Sequence, residues 1–172
     1  MMKITGDPFY AEYLERITFN ALPTQMSKDM SLHQYFQQTN QVSITYGEHN
    51  FSTKKQGTGS LMGFLTGYPC CLANLHQGYP KFTQNLWLRS SGDGLAALVY
   101  SPCRVSAQVK GVQLSLNEVT DYPKGDVIRI EVDPSQPVSF PMSLRMPSWS
   151  QTPSVKVNGQ PQEGMVPGEI FV

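Results

Sequence analysis

The second half of the chain constrains the fold most, because its apolar residues no longer follow helical spacing and form short runs between Gly, Pro, Asp and Ser turns. These runs lie at 95–100, 104–109, 112–116, 127–132, 138–146 and 155–157. Short strands separated by such turns predict part of a β-sandwich. Within this half, Val157-Asn158-Gly159-Gln160 predicts a hairpin, since Asn-Gly suits a two-residue turn.

The N-terminal segment has the opposite pattern and predicts an amphipathic helix. Asp7 is a good N-cap and Pro8 a good first helical residue. Apolar residues at helical spacing follow, among them Phe9, Tyr13 and Ile17. The helix is expected to end near Pro23.

Residues 24–60 are rich in Ser, Thr, Gln, Asn and Gly, and predict a long loop. A short alternating run within it, Gln41–Tyr46, predicts one strand. A loop of this length in a compact domain is usually functional or poorly ordered.

Two adjacent thiols, Cys70 and Cys71, follow the loop at a predicted helix start. Pro69 fixes an extended segment before them, residues 72–77 can form helix, and Gly78 is a suitable stop. Unpaired N–H groups and the dipole at a helix N-terminus favour a thiolate, the form that attacks carbon or binds metal. Pro80 is predicted to open a second helix, which carries Phe82, Leu86 and Trp87.

From the residues alone, the two thiols could have a chemical role, as a nucleophile or metal ligands, or could only fill space in a core. Buried cysteines often act as small hydrophobic groups, and a mutual disulfide between neighbours is strained. A zinc site requires three or four protein ligands. His76 is expected on a different helix face, as a surface or internally satisfied histidine, and Cys103 in the core of the strand region.

Composition excludes several classes of protein. The chain has 172 residues, 40% of them hydrophobic, with 13 basic and 13 acidic side chains and no basic run. Balanced charge gives no reason to expect a nucleic acid or an anionic membrane surface as partner. No apolar stretch approaches the roughly 20 residues of a membrane span. Three cysteines imply no disulfide framework, and the N-terminus has no apolar signal core, so the compartment is not indicated.

Four stretches together resemble glycoside hydrolase family 127, the β-L-arabinofuranosidase family. The most specific is the double-cysteine run 68–87, with Cys70-Cys71, Asn74, Gln77-Gly78 and Pro80-Lys81-Phe82. The others are Thr5-Gly6-Asp7 with Tyr10, Leu14-Glu15-Arg16 and Phe19 to Pro23; Gln34-Tyr35 with Asn40-Gln41; and Leu144 to Trp149 followed by Val157-Asn158-Gly159.

The resemblance implies a retaining glycosidase with a cysteine nucleophile. Cys70 would be that nucleophile and would form a thioether with the anomeric carbon, while Cys71 would be a ligand of a Zn²⁺ ion that holds both sulfurs. The substrates would be arabinofuranosides of plant-type glycans, present in arabinose-containing oligosaccharides or glycoconjugates. Tyr35, Asn40 and Asn74 would contact the sugar.

The same resemblance implies an α+β, multidomain fragment. Residues 1–91 would be the end of an (α/α)6 catalytic barrel, and residues 92–172 an antiparallel β-sandwich, with the turn Ser90–Gly94 at the boundary. The sandwich would be incomplete at its C-terminus. The family's remaining zinc ligands, a glutamate and a cysteine, and its acid/base glutamate belong to segments before the helix at Asp7. The chain is therefore expected to be an incomplete, inactive copy, and the sequence leaves open whether it is an enzyme.

Two readings from other classes remain. The chain could be a non-catalytic β-sandwich module that binds glycans or another protein, with Trp149 or Trp87 stacking on sugars, although tryptophans beside strands more often fill a core. It could also be a structural protein whose cysteines only pack. By resemblance, Glu15 is expected to be a buried anchor rather than a solvated charge.

Overall fold

The computed structural model describes residues 1–37, 44, 61–63 and 65–172. These residues form two compact units, one made of 1–15 with 84–172 and the other of 16–83. The chain contains both helices and strands, which confirms a mixed α+β chain, and all the named strands lie in the first unit. Among the described residues, no helix combines the length and apolar content needed to cross a bilayer.

The chain begins with two helices, α1 at Met2–Thr5 and α2 at Pro8–Arg16. The predicted N-cap is confirmed, because the Asp7 carboxylate accepts a hydrogen bond from the Phe9 N–H at 2.9 Å. The predicted single helix to Pro23 is wrong in its second part. After Arg16 the backbone widens into a π-helical turn, Ile17–Ala21, and such turns are rare outside functional or irregular segments.

Three further helical segments belong to the second unit: a 3₁₀ turn at Pro23–Gln25, α3 at Pro69–Leu75 and α4 at Gly78–Thr83. Gly78 was expected to stop α3, and instead it is the first residue of α4. Its lack of a side chain serves packing, since a Cβ at this position would lie 3.0 Å from the Leu22 side chain.

The second predicted helix is also shorter than expected. It ends at Thr83, whereas Trp87 belongs to strand β1, Trp87–Ser90. Trp87 pairs with Ala97 across the sheet and packs against the core of the first unit. Burial of an aromatic ring between strands therefore overrides the helical spacing of 82, 86 and 87, which local sequence alone suggests.

Two larger sheets and one hairpin form the strand region. The four-stranded sheet has the order β1-β2-β6-β9, the three-stranded sheet β3-β4-β5, and β7 pairs with β8. The remaining strands are β2 Gly94–Ala97, β3 Cys103–Val109, β4 Val112–Thr120, β5 Ile128–Pro134, β6 Met142–Arg145, β7 Lys156–Val157, β8 Gln160–Pro161 and β9 Ile170–Phe171.

One hydrophobic core joins the two larger sheets. Leu95 of β2 is buried with Val109 of β3 and with Leu114 and Leu116 of β4. Partly buried side chains from both sheets and from the segment between β5 and β6 complete it, namely Trp87, Val105, Ala107, Ile130, Val138, Phe140 and Met142. The alternation along β4 explains this packing, since every second residue faces the core.

Pairing within the sheets is antiparallel with one described exception. Strands β2 and β6 run parallel, with Leu95 opposite Met142, so the prediction of a purely antiparallel arrangement is wrong at this pair. The Asn-Gly hairpin is confirmed. Val157 pairs with Gln160, and Asn158 and Gly159 have φ angles of 51° and 83°, as a two-residue turn of this kind requires.

The turn that was expected to separate two domains connects β1 to β2 as a hairpin, with Ser90 opposite Gly94. It therefore lies inside the first unit. The division into residues 1–91 and 92–172 stays a prediction. The predicted strand Gln41–Tyr46 lies outside the described residues except for Ile44, which is buried.

Candidate functional site

The two adjacent thiols lie in the first turn of α3, as the sequence predicts. Pro69 is the first helical residue, and Tyr68 is the N-cap. The Tyr68 carbonyl accepts hydrogen bonds from the N–H groups of Cys71 at 3.1 Å and Leu72 at 3.2 Å. This carbonyl therefore begins the helix that carries both sulfurs.

The sulfur atoms of Cys70 and Cys71 lie 3.7 Å apart, and neither is in a disulfide. Cys70 is exposed and Cys71 is half-buried. Desolvation raises the pKa of the Cys71 thiol, and the hydrogen bond and charge of Cys70 add to that increase. This direction is opposite to the one that a helix N-terminus favours for a thiol.

The pair supplies two sulfur donors for a metal. Among the described residues, no group of three or more His, Cys, Asp and Glu side chains is placed to hold one. His76 is an exposed C-cap residue of α3, and Cys103 belongs to the other unit. A tetrahedral zinc site takes four ligands, so the described donors fit part of such a site.

The three residues expected to contact sugar have different environments. Asn74 uses its amide within the helix, donating to the Cys70 carbonyl at 2.7 Å and accepting from Gln77 at 2.7 Å. Tyr35 stacks on Tyr68, with ring centroids 3.7 Å apart and an interplanar angle of 2°. Asn40 lies outside the described residues. Sugar contacts by these residues remain a prediction.

The structure adds a neighbour to this stack that sequence reasoning missed. Phe36 meets the ring of Tyr35 edge-on at 5.1 Å and that of Tyr68 at 5.8 Å. The three rings form what we call the aromatic cluster. Two adjacent aromatic residues within the predicted loop are the only available signal, and nothing in their spacing links them to Tyr68.

A second group missed by sequence reasoning surrounds Glu118 on β4. Its carboxylate is buried at the core face, accepts hydrogen bonds from the Trp87 indole at 2.8 Å and the Ser101 N–H at 3.0 Å, and lies 3.8 Å from the Cys103 sulfur. Desolvation raises the pKa of Glu118. Desolvation and the neighbouring Glu118 raise the pKa of Cys103 to about 11, so Cys103 is a protonated structural thiol at neutral pH. The alternation of β4 could have found Glu118, as a charge at a core position.

Arg145 forms a third polar group, at the end of β6. The side chain is fully buried, and its guanidinium pairs with Glu15 and, at 3.3 Å, with Glu12. It also donates to the Leu98 carbonyl at 2.6 Å. Glu15 additionally accepts from the Trp149 indole at 3.2 Å. The prediction that Glu15 is a buried anchor is confirmed, and its partner is now identified.

Trp149 donates this hydrogen bond to Glu15 and yet remains exposed. Its residue is 54% exposed, and its ring lies 6.1 Å from the ring of buried Tyr122 at an interplanar angle of 23°. Tyr122 also lines an open cleft of about 460 Å³ in the first unit. The other lining residues are Pro102, Thr120, Asp121, Pro123, Lys124 and Gly125. Trp87, by contrast, is a core residue.

Comparison with known proteins gives a family match in the strand region. Residues 94–170 match the family model described as β-L-arabinofuranosidase, GH127 middle domain. The sequence comparison with curated proteins gives no match.

Solved structures share the fold. A glycoside hydrolase structure superposes with a TM-score of 0.76 at 23% identity, covering 99% of this chain and 27% of its own. A GH127 β-L-arabinofuranosidase from Geobacillus stearothermophilus T6 superposes with a TM-score of 0.71 at 18% identity, and the match covers 95% of this chain and 25% of that protein. A GH127 β-arabinofuranosidase superposes with a TM-score of 0.70 at 22% identity, and the match covers 98% of this chain and 27% of that protein. The chain thus spans about a quarter of the length of these proteins.

Proposed function

This chain belongs to glycoside hydrolase family 127, and on that premise we propose that it carries the nucleophile segment of a retaining β-L-arabinofuranosidase. The substrates would be arabinofuranosides in arabinose-containing oligosaccharides or glycoconjugates. Its helical part, residues 1–91, would be the end of an (α/α)6 barrel, and the strand region the β-sandwich that follows.

The observation that carries the proposal is the pair of thiols in the first turn of α3. Cys70 is exposed and has a second sulfur 3.7 Å away. A deprotonated cysteine is a strong nucleophile for carbon. Cys70 would attack the anomeric carbon and form a C–S bond while the glycosidic C–O bond breaks. The leaving oxygen takes the bonding electrons and a proton from a general acid. Water would then attack from the face that the leaving group vacated, lose a proton to the conjugate base of the general acid and release the sulfur as a thiolate, so two inversions give retention.

Cys71 and Cys70 would hold the zinc ion that the family resemblance implies. A bound Zn²⁺ keeps coordinating thiols deprotonated at neutral pH, which offsets the raised pKa of Cys71 in the protein alone. The described residues supply two of the four ligands that such a site takes. We therefore propose that this chain by itself binds zinc weakly and hydrolyses no arabinofuranoside.

The test is zinc content per dialysed chain, together with arabinose release from an aryl β-L-arabinofuranoside. We expect zinc far below one ion per chain and no release. The matched variants are Cys70→Ser, Cys71→Ser and, as a control from the other unit, Cys103→Ser.

Two outcomes would change the proposal. Near-stoichiometric zinc that is lost only in Cys71→Ser and Cys70→Ser would show that the site is complete in this chain, and release abolished by Cys70→Ser would then identify the nucleophile. Release that survives Cys70→Ser would exclude Cys70 as the nucleophile.

A second candidate, a glycan-binding module without catalysis, is favoured by Trp149. The residue is 54% exposed and its indole N–H donates to Glu15, and a fixed, exposed aromatic residue suits an interface with one apolar and one polar side. Glycan binding that persists in Cys70→Ser and Cys71→Ser but is lost in Trp149→Ala would support this candidate over the enzyme.

A further inference from the structure

The aromatic cluster lies next to the thiol pair, because Tyr68 is both a member of the cluster and the N-cap of α3. The rings of Tyr35 and Tyr68 are parallel within 2° and 3.7 Å apart, and Phe36 lies edge-on to each. All three residues and both thiols belong to the second unit. The two contacts of Phe36 are of the edge-to-face kind that is favourable beyond the area that it buries, whereas the Tyr35 and Tyr68 rings lie nearly face to face and cover each other.

The backbone of Tyr68 is in an unfavourable conformation. Its φ and ψ angles are 55° and 45°, in the left-handed region. A bulky residue without the freedom of glycine rarely adopts this region, and such residues persist only where the surroundings enforce them. Two adjacent features restrict this segment further, since Pro69 follows Tyr68 and Gly67 before it also has a positive φ, 120°.

This conformation determines how α3 begins. The Tyr68 carbonyl accepts from the N–H groups of Cys71 and Leu72, so its direction sets the direction of the first turn. The other side of that turn is held by Asn74, which donates to the Cys70 carbonyl at 2.7 Å. Any change in the Tyr68 backbone would therefore move Cys70 and Cys71.

We propose that Tyr35 is a positioning residue for the thiol pair, because its stack on Tyr68 holds the left-handed backbone from which the cysteine helix begins. Tyr35 acts through Tyr68 and need not touch substrate. One face of its ring is covered by the Tyr68 ring, which leaves less of it for a sugar than the resemblance implies. The importance of this role for catalysis rests on the proposed function, whereas the geometry does not.

The experiment is limited alkylation with iodoacetamide, with the rates at Cys70, Cys71 and Cys103 read separately by mass spectrometry. In the parent, exposed Cys70 should react faster than half-buried Cys71. In Tyr35→Leu, we expect the ratio of the two rates to fall by about two- to tenfold, the range to which the strength of one aromatic pair corresponds. Tyr35→Phe preserves the ring and should keep the parent ratio. Cys103, in the other unit, is the internal standard.

A rescue variant separates positioning from simple packing. Glycine adopts the left-handed conformation without steric cost, so Tyr68→Gly removes the need for the stack. The ratio in Tyr35→Leu/Tyr68→Gly should therefore return to the parent ratio, as should that in Tyr68→Gly alone, a recovery that the loss of ring packing by itself would not produce. If Tyr35→Leu also accelerates Cys103, the fold has loosened as a whole, and the comparison of these two glycine variants decides the question.

Three results would overturn the proposal. The first is a ratio of Cys70 to Cys71 alkylation rates in Tyr35→Leu that equals the parent ratio. The second is a fall of this ratio in Tyr35→Phe as large as in Tyr35→Leu. The third is a further fall of this ratio when Tyr35→Leu is added to Tyr68→Gly. Labelling rates require neither zinc nor turnover. A chain that fails to bind zinc or release arabinose would count against the proposed function and leave this inference standing.

Discussion

At the scale of single residues, two buried charged side chains are explained by their partners. Glu118 stays on the core face of β4 because it accepts from Trp87 and Ser101. Arg145 is fully buried because Glu15 and Glu12 neutralise it. Buried charges are stable only when paired and hydrogen-bonded, so each should be sensitive to removal of its partner.

Glu118 is expected to make stability depend on pH. Its pKa is raised from 4.5 in the native state by desolvation, so the folded chain binds the proton more tightly than the unfolded chain does. The stabilisation is complete below pH 4.5 and is lost as the pH rises through the raised pKa. Urea unfolding between pH 4 and 8 should show this loss in the parent and not in Glu118→Gln.

The control for this titration is Glu163→Gln, which removes an exposed charge and should retain the parent profile. Glu118→Ala should instead lose about 1–3 kcal/mol at low pH, where the parent is most stable, because the Trp87 and Ser101 donors lose their acceptor. A Glu118→Gln profile parallel to that of the parent would show that another group causes the pH dependence.

At the scale of elements, helix α2 is held to strand β6 by polar contacts. Glu12 and Glu15 lie one turn apart on α2, and both bind Arg145. Glu12 also accepts from the Ser148 hydroxyl at 2.6 Å, just after β6. Because these contacts join positions distant in sequence, they fix the helix against the sheet in a way that local propensity cannot.

Arg145→Ala should destabilise the chain by about 3–5 kcal/mol, since it leaves Glu15 buried without a counter-charge. Adding Glu15→Gln should recover part of that loss, because no unpaired buried charge remains. Chemical denaturation measures both.

Arg129→Ala serves as the matched control. Arg129 is exposed on β5, and its loss should change stability by no more than about 0.5 kcal/mol. Equal effects of Arg145→Ala and Arg129→Ala would show that the buried ion pairs contribute nothing net.

At the scale of the whole molecule, charge balance and exposed apolar side chains act together. Basic and acidic residues are equal in number, and the sequence pI is about 6.8. Several large apolar residues of the N-terminal helical segment are exposed, including Ile4, Phe9, Tyr13 and Ile17. Without net repulsion, such surfaces favour association.

We therefore expect self-association to be strongest near pH 6.8 and weaker at pH 5 and pH 9, as measured by light scattering at constant protein concentration and low salt. Phe9→Ser should reduce association at neutral pH, and Arg104→Ser, at an exposed position on β3, should not. Scattering that is independent of pH would show that charge balance is not the cause.

The sequence by itself determined the features that depend on local periodicity and turn chemistry. Short apolar runs between turn residues predicted most strands, Asn158-Gly159 predicted its hairpin, Asp7 predicted a helix cap, and the double-cysteine run indicated the family and a helix bearing the thiols. Each depends on neighbours within a few residues, whose conformational preferences act before any tertiary contact forms.

Only the tertiary structure decided the rest. It made Trp87 a strand residue, ran β2 parallel to β6, paired Glu15 with Arg145, and stacked Tyr35 on the strained Tyr68. These outcomes depend on desolvation and on contacts between residues far apart in sequence, whose free energies exceed local preferences and leave no periodic signal.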